Sequence, residues 1–248
     1  MTLRLLSYNI RRGGAGREQP LAAVIRAVAP DIVVLEEATR PEVVECLARE
    51  TGMQQWSARA GKSLGFMSRQ PVTHFAAHRP AISRHAFLEI VPSTTSWRVF
   101  GVHLSAVHAA WTERRRLFEL RALLRAVSAH EKGPHVLIGD FNTVAPGDLF
   151  DVRMLPRRLR TLVWLSGGHI RWRTIATVLS AGYVDSFRLL HPADLGYTLP
   201  TPKPHVRLDY AFVPGAFAQH VRSCEIVKVP EVTRASDHFP LLLEIGEP

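Results

Sequence analysis

The order of elements legible in this 248-residue chain predicts an α/β fold: two β-sheets, mixed and mainly antiparallel, packed face to face with helices outside. Three observations carry that reading. Helical and strand-like periods mix, but without the strict alternation that a doubly wound parallel sheet needs. Hairpin-like blocks of short strands occur in both halves, each with its own helices. No linker-like stretch, repeat or low-complexity tract intervenes, so residues 1–248 read as a single domain long enough to bury a substantial core.

Residues 3–10 partly alternate and run into Gly13-Gly14, as a strand entering a loop does. Residues 20–29 set Leu21, Val24, Ile25 and Val28 at helical spacing, and Pro30 stops them. Residues 32–35 form the short apolar run of a buried strand. Residues 41–51 read as a helix with Pro41 in its first turn and Gly52 at its stop. The period then changes, and residues 64–68, 72–77, 86–91 and 97–104 predict consecutive strands separated by Pro, Ser or charged turns. A long helix over 112–130 puts Leu117, Leu120, Leu124 and Val127 on one face and five arginines largely on the other. Residues 136–138 are again a buried run, whereas 151–173 fit no template cleanly. Strands return at 208–213, 221–227 and 240–245.

Apolar residues make up 46 % and charged residues 21 % of the chain, a balance that excludes disordered, collagen-like and coiled-coil classes. The charge-free apolar stretch 174–184 is too short to span a bilayer. The first residues lead directly into a strand-like segment, without the basic region and apolar core of a leader. Two cysteines, Cys46 and Cys224, are too few for a disulfide framework or a thiolate zinc site. A reduced, cytoplasmic, monomeric protein of enzyme size is the expectation. The formal net charge is +9, from 31 basic and 22 acidic residues. Such a surplus concentrates anionic partners: nucleic acid, phospholipid headgroups or phosphate esters. Yet 27 Arg against 4 Lys in an Ala-rich chain equally fits GC-rich coding bias.

Polar residues recur at the predicted strand ends, where a rigid scaffold aims side chains into a cleft. Asn9 follows Leu5-Leu6-Ser7-Tyr8, Glu37 follows Ile32-Val33-Val34-Leu35-Glu36, and His103 follows Val99-Phe100-Gly101-Val102. Asp140 and Asn142 lie in Gly139-Asp140-Phe141-Asn142, Asp209 in Arg207-Leu208-Asp209-Tyr210, and Asp237-His238 after Ser236. Three of the eight Asp residues fall in this set. Each has an ordinary alternative. Asn9 or Asn142 suits a turn, Asp140 a cap, His103 a hydrogen-bonded core position and Asp209 an ion pair with Arg207. Six such coincidences in order explain the set poorly.

The ordered segments SYNI, PDIVVLEEA, GVHL, IGDFN, RLDYAFV and SDHFP resemble the endonuclease/exonuclease/phosphatase superfamily, also called DNase I-like, over residues 3–243. The resemblance implies a four-layered α/β sandwich and a divalent-metal-dependent phosphoesterase. One position departs from the pattern: the residue before the metal-binding Glu is often Gln and is Glu36 here, with Glu37 preferred as ligand. On the same resemblance Asn9, Glu37 and Asp237 hold Mg²⁺ or Mn²⁺, hard cations that oxygen donors suit. His238 is then general base or electrostatic partner, its tautomer held by Asp209. Asp140 positions the attacking water or protonates the leaving oxygen, Asn142 hydrogen-bonds the phosphate, and His103 donates to a phosphate oxygen. Cleaving a phosphodiester requires such help, because an anionic nucleophile must approach an anionic phosphate.

Residues 151–173 hold Arg153, Arg157, Arg158, Arg160, Arg171 and Arg173 with Trp164 and Trp172, against Asp151 alone. Arg157, Arg158, Arg160 and Trp164 could grip phosphates and stack on bases, or lie in a lipid interface. The plainer reading is a helix packing Leu159, Leu162, Val163 and Leu165 on the core with its charges in water. Pro200, Pro202 and Pro204 stiffen the approach to Asp209. The expected substrate is an anionic phosphodiester. Nucleic acid leads a phospholipid headgroup because no stretch clearly carries an unpaired apolar face. An inactive anion-binding module with the same fold is the non-enzymatic alternative.

Overall fold

The computed structural model describes residues 2–79, 85–106, 110–128, 133–168 and 171–248. Its strands are numbered along the chain. One six-stranded sheet contains β1 (Thr2–Asn9), β2 (Ile32–Glu36), β3 (Gln55–Ser57), β4 (Gly65–Ser68), β11 (Val221–Ile226) and β12 (Leu241–Gly246), in the order β11-β12-β1-β2-β4-β3. The other contains β5 (Val72–His78), β6 (Phe87–Pro92), β7 (Arg98–His103), β8 (His135–Asp140), β9 (Tyr183–Asp185) and β10 (Asp209–Pro214), in the order β5-β6-β7-β8-β10-β9. Each sheet has one parallel pair at its centre, β1 with β2 and β7 with β8, flanked by antiparallel neighbours. A parallel pair needs a helical crossover. Those crossovers are α1 (Glu18–Val28) and α3 (Ala110–Val127).

Three apolar layers separate four structural ones. Leu5, Val34, Phe66, Ile90, Trp97, Val99, Ile138 and Leu243 fill the space between the sheets. Leu6, Tyr8, Val33 and Leu35 turn the other way and meet Leu21, Val24 and Ile25 of α1, with Val44 and Leu47 of α2 (Pro41–Thr51). On the opposite side Phe100, Leu137, Tyr210 and Phe212 meet Leu120 and Leu123 of α3, with Ile175 and Val178 of α5 (Arg173–Ser180). Strands covered on both faces read as unbroken apolar runs, as β2 does. The architecture is the four-layered α/β sandwich that the strand blocks imply.

The elements differ from expectation in instructive places. α2 has the expected bounds, with Gly52 left-handed at its C-terminus. α1 begins two residues earlier than Pro20 and ends at left-handed Ala29. The helix expected to 130 is described to Val127, and 129–130 lie outside the described residues. Its five arginines do not all face water. Arg116 is 1 % exposed, donating from Nη1 to the Ser105 carbonyl (2.9 Å) and from Nη2 to Glu113 (2.9 Å). That inner face carries a buried polar network, since Glu119 in turn accepts from the Ser105 amide and hydroxyl. The unplaced 151–173 stretch contains a 3₁₀ turn (Val152–Met154), α4 (Arg157–Leu165) and the start of α5, while 169–170 are outside the described residues. Short β3, β9, α6 (Ser186–Leu190) and α7 (Val232–Ala235) were not expected.

Candidate active site

The two central parallel pairs decide where the polar residues meet. β1 and β2 run side by side and place Asn9 opposite Glu36. β7 and β8 likewise place His103 opposite Asp140, and antiparallel β10 brings Asp209 against Asp140 from the other side. Strand parity aims all of these between the sheets. Leu5, Ser7 and Asn9 share a face, as do Val34 and Glu36, Ile138 and Asp140, and Ala211 and Asp209, the apolar member of each pair lying in the inter-sheet core. The cluster is therefore the polar end of that core. Gly139 permits the closeness of β7 and β8. Its φ is +150°, and a Cβ there would sit 1.9 Å from the Val102 carbonyl oxygen.

Asp140, Asp209 and His238 are buried, with ligand-capable atoms all within 4.8 Å of one another. His238 reaches the strands from the turn after α7, which Ser236 fixes by donating from Oγ to the Asn9 carbonyl (2.6 Å). His238 Nδ1 lies 3.0 Å from Asp209 Oδ2, and Nε2 lies 4.0 Å from Asp140 Oδ2. Asp140 is held from two sides: Asn9 Nδ2 donates to Oδ2 (3.1 Å) and the Asn142 amide to Oδ1 (2.8 Å). Asn142 has φ +53° and spends one side-chain N–H on the Leu104 carbonyl (3.0 Å). His103 Nε2 stands 3.8 Å from Asp140 Oδ2, while its Nδ1 is hydrogen-bonded to Ser63 Oγ.

The electrostatics follow from this crowding. Burial raises the Asp140 carboxyl above its ordinary range, and the neighbouring Asp209 charge raises it further. For His238, burial opposes protonation, but Asp209, then Asp140 and Asp237, reverse that and raise its pKa to about 10. It rests as an imidazolium donating to Asp209. His103 is pushed down to about 3 by burial and by the nearby His85 and His238, so it is neutral.

The three oxygen-bearing residues singled out as metal ligands converge on Arg11 and Arg12. Asn9 Oδ1 accepts from the Arg11 amide (2.9 Å), Glu37 accepts from the Arg12 amide, and Asp237 Oδ2 pairs with Arg11 Nε (3.2 Å). Glu37 and Asp237 are half-buried. Glu36, the residue before the expected ligand Glu37, points inward. It is wholly buried, accepts from Ser7 Oγ (2.9 Å), and has Oε2 without a hydrogen-bond partner. Burial, then Asp209 and Asp140, raise its carboxyl well above the ordinary value. Its burial follows from strand parity, since Glu36 continues the inward alternation of Val34. The alternative role for Asp209 fails: Arg207 pairs instead with Asp148 (3.0 Å) and Asp185 (2.7 Å). Arg157, Arg158, Arg160 and Trp164 stand on α4, outside this cluster.

A buried His–Asp pair against a second carboxylate thus stands at the strand ends of a four-layered sandwich. The sequence profile of the Endonuclease/Exonuclease/phosphatase family matches residues 6–238, and the chain belongs to that family. Among curated proteins none matches the sequence. Solved structures share the fold. An AP endonuclease from Archaeoglobus fulgidus superposes with a TM-score of 0.76 at 16 % identity, over 97 % of this chain and 98 % of that one. The 3′ phosphatase NExo from Neisseria, bound to a product DNA hairpin, gives 0.72 at 20 %, over 98 % and 99 %. A structure of the 3′-5′ exonuclease NExo from Neisseria meningitidis gives 0.70 at 20 %, over 98 % and 99 %.

Proposed function

We propose that this chain is a Mg²⁺- or Mn²⁺-dependent phosphodiesterase acting on nucleic acid, as a cytoplasmic monomer of one domain. The observation that carries the proposal is the buried His238 ring, clamped by Asp209 through Nδ1 with its Nε2 turned towards Asp140. The residues fit a hard divalent cation. Asn9, Glu37 and Asp237 offer oxygen donors and no thiol, and they adjoin buried Glu36, Asp140 and Asp209, whose mutual repulsion a nearby cation would relieve. Asn9, Glu37 and Asp237 would hold the cation. When bound, it would neutralise phosphate charge and make water a stronger nucleophile.

The remaining chemistry falls to side chains. His238 presents Nε2–H to a phosphate oxygen and stabilises the negative charge that grows on attack. Asp209 keeps that tautomer and charge in place. With His238 already protonated, Asp140 Oδ2 takes the proton from water or returns it to the leaving oxygen, a role suited to its raised pKa. Neutral His103 donates from Nε2, and Asn142 offers its second amide N–H to the phosphate. A panel of DNA, RNA, lipid and small chromogenic phosphoesters, assayed with Mg²⁺, Mn²⁺ and EDTA, tests this reading. Metal-dependent cleavage of nucleic acid is expected. Cleavage only of lipid headgroups moves the substrate, and no turnover of any ester leaves an inactive module.

A further inference from the structure

A surface helix normally turns its apolar residues inward and leaves charge in water. α4 does otherwise. Of its nine residues, Val163 is the one buried. Trp164 is 73 % and Leu165 63 % exposed. Arg157, Arg158 and Thr161 are exposed with them, and their i, i+3, i+4 and i+7 spacings put all five on one face. This is an unpaired apolar face of the kind the sequence did not reveal, with Arg157 and Arg158 on the same face at the helix's other end. The acid of the 151–173 segment, Asp151, is engaged by Arg153 (3.2 Å), so it does not neutralise the α4 arginines.

The helix is also tied to the catalytic cleft. Arg171 donates from Nη2 to the carbonyl of Ser166, the residue after α4 (3.3 Å), and Thr143 Oγ1 donates to the Arg171 carbonyl (3.1 Å). Thr143 adjoins Asn142.

We propose that the outward face of α4 docks on an anionic lipid bilayer, with Trp164 and Leu165 entering the headgroup region and Arg157 and Arg158 on lipid phosphates. Charge complementarity selects an anionic partner, and the aliphatic residues choose between the two anionic surfaces. Single-stranded nucleic acid rewards flat π faces for stacking. Leu165, and Leu149 at 68 % exposure in the same excursion between β8 and β9, offer none. A lipid interface takes Trp and Leu equally and lets Arg reach phosphate. This inference concerns adhesion and holds whichever phosphodiester the cleft cuts.

The test is co-sedimentation of the full chain with phosphatidylcholine vesicles and with vesicles mixing phosphatidylcholine and phosphatidylglycerol. Binding to the mixed vesicles is expected, weakening as salt rises. Each apolar side chain that leaves water is worth roughly tenfold, so Trp164→Ala with Leu165→Ala weakens partition about a hundredfold. Arg157→Gln with Arg158→Gln costs about thirtyfold, on the anionic vesicles alone. Unchanged circular dichroism and melting show that the variants fold. Should either pair misfold, quenching of tryptophan emission by brominated lipid, reduced in Trp164→Phe, reads the same contact. No sedimentation of the natural chain, or full retention by the Trp164/Leu165 pair, overturns the proposal. So does a single-stranded oligonucleotide that needs α4 while vesicles are ignored. Sedimentation involves no turnover, so an inactive cleft leaves this result untouched.

Discussion

Replacing Asp209 by Asn separates the electrostatics of the cleft from its shape. The amide keeps the size of the carboxylate and still accepts from His238 Nδ1, 3.0 Å away, but it removes the nearest charge that offsets burial of the imidazolium. His238 is 7 % exposed, so with Asp209 neutral its pKa should fall from about 10 towards or below its ordinary 6.5. Each factor of ten in a proton equilibrium is about 1.4 kcal/mol. At pH 7 the folded chain's preference for the imidazolium is therefore worth roughly 4 kcal/mol, a ceiling because a neutral amide is cheaper to bury than a carboxylate. The folded pKa lies above the unfolded one. The contribution is thus complete below about pH 6.5 and lost as the pH climbs through about 10. Asp209→Asn should melt well below the natural chain at pH 6 to 7 and converge with it near pH 10, both measured in EDTA. Imidazole NMR titration gives the pKa directly, and turnover should fall about 10³- to 10⁴-fold. A His238 pKa still near 10 in the variant would refute the reasoning, because Asp140 and Asp237 would then hold the charge without Asp209.

Glu37→Ala should raise the Mg²⁺ concentration needed for activity and cut the rate about 10³-fold, and EDTA should abolish turnover; undiminished hydrolysis in EDTA would sink the metal reading. Glu36→Gln keeps the acceptor for Ser7 and removes a carboxyl whose pKa burial raises. The natural chain's penalty grows as the pH rises above the ordinary 4.5, so in EDTA the variant should be the more stable at neutral and alkaline pH and equal near pH 4.5; parallel melting curves would contradict this. Gly139→Ala should cost about 3 kcal/mol or prevent folding, since its Cβ would meet the Val102 carbonyl at 1.9 Å. A urea midpoint close to that of the natural chain would show that β7 and β8 part easily.

Elements with a clear apolar run or strong punctuation are legible, whereas those set by pairing at a sheet edge are not. Pro41 and Gly52 mark both ends of α2, and the apolar run of β2 is long enough to declare a strand buried on both faces. β9 spans three residues and exists because Val213 of β10 pairs with Val184 across the sheet edge, a contact no local pattern announces. α6 is different: Asp185 accepts from the amides of Phe187 and Arg188 (both 3.1 Å), an N-cap whose residue type was visible. Arg116 misled because a helical wheel ranks arginine as outward, and nothing local tells of the Ser105 carbonyl waiting inside.

The cluster itself obeys a rule sharper than proximity to a strand end. Along β1, β2, β7, β8 and β10 the residues that converge are those continuing the inward alternation of the inter-sheet core: Asn9, Glu36, His103, Asp140 and Asp209. Asp237 and Glu37 fall outside that alternation and are half-buried, with Arg11 and Arg12 against them. Parity thus sorts the acidic residues into two shells that composition cannot separate. The inner shell is buried and mutually repelling, and it perturbs the ionisation of its own members. The outer shell is wetter, with Asp237 against the Arg11 guanidinium and Glu37 on the Arg12 amide. Buried groups with perturbed ionisation cluster at functional sites, and the inner shell is such a cluster. Two sheets that end together, each with a parallel pair at its centre, supply the inner shell from strand ends and the outer shell from the turns just beyond them.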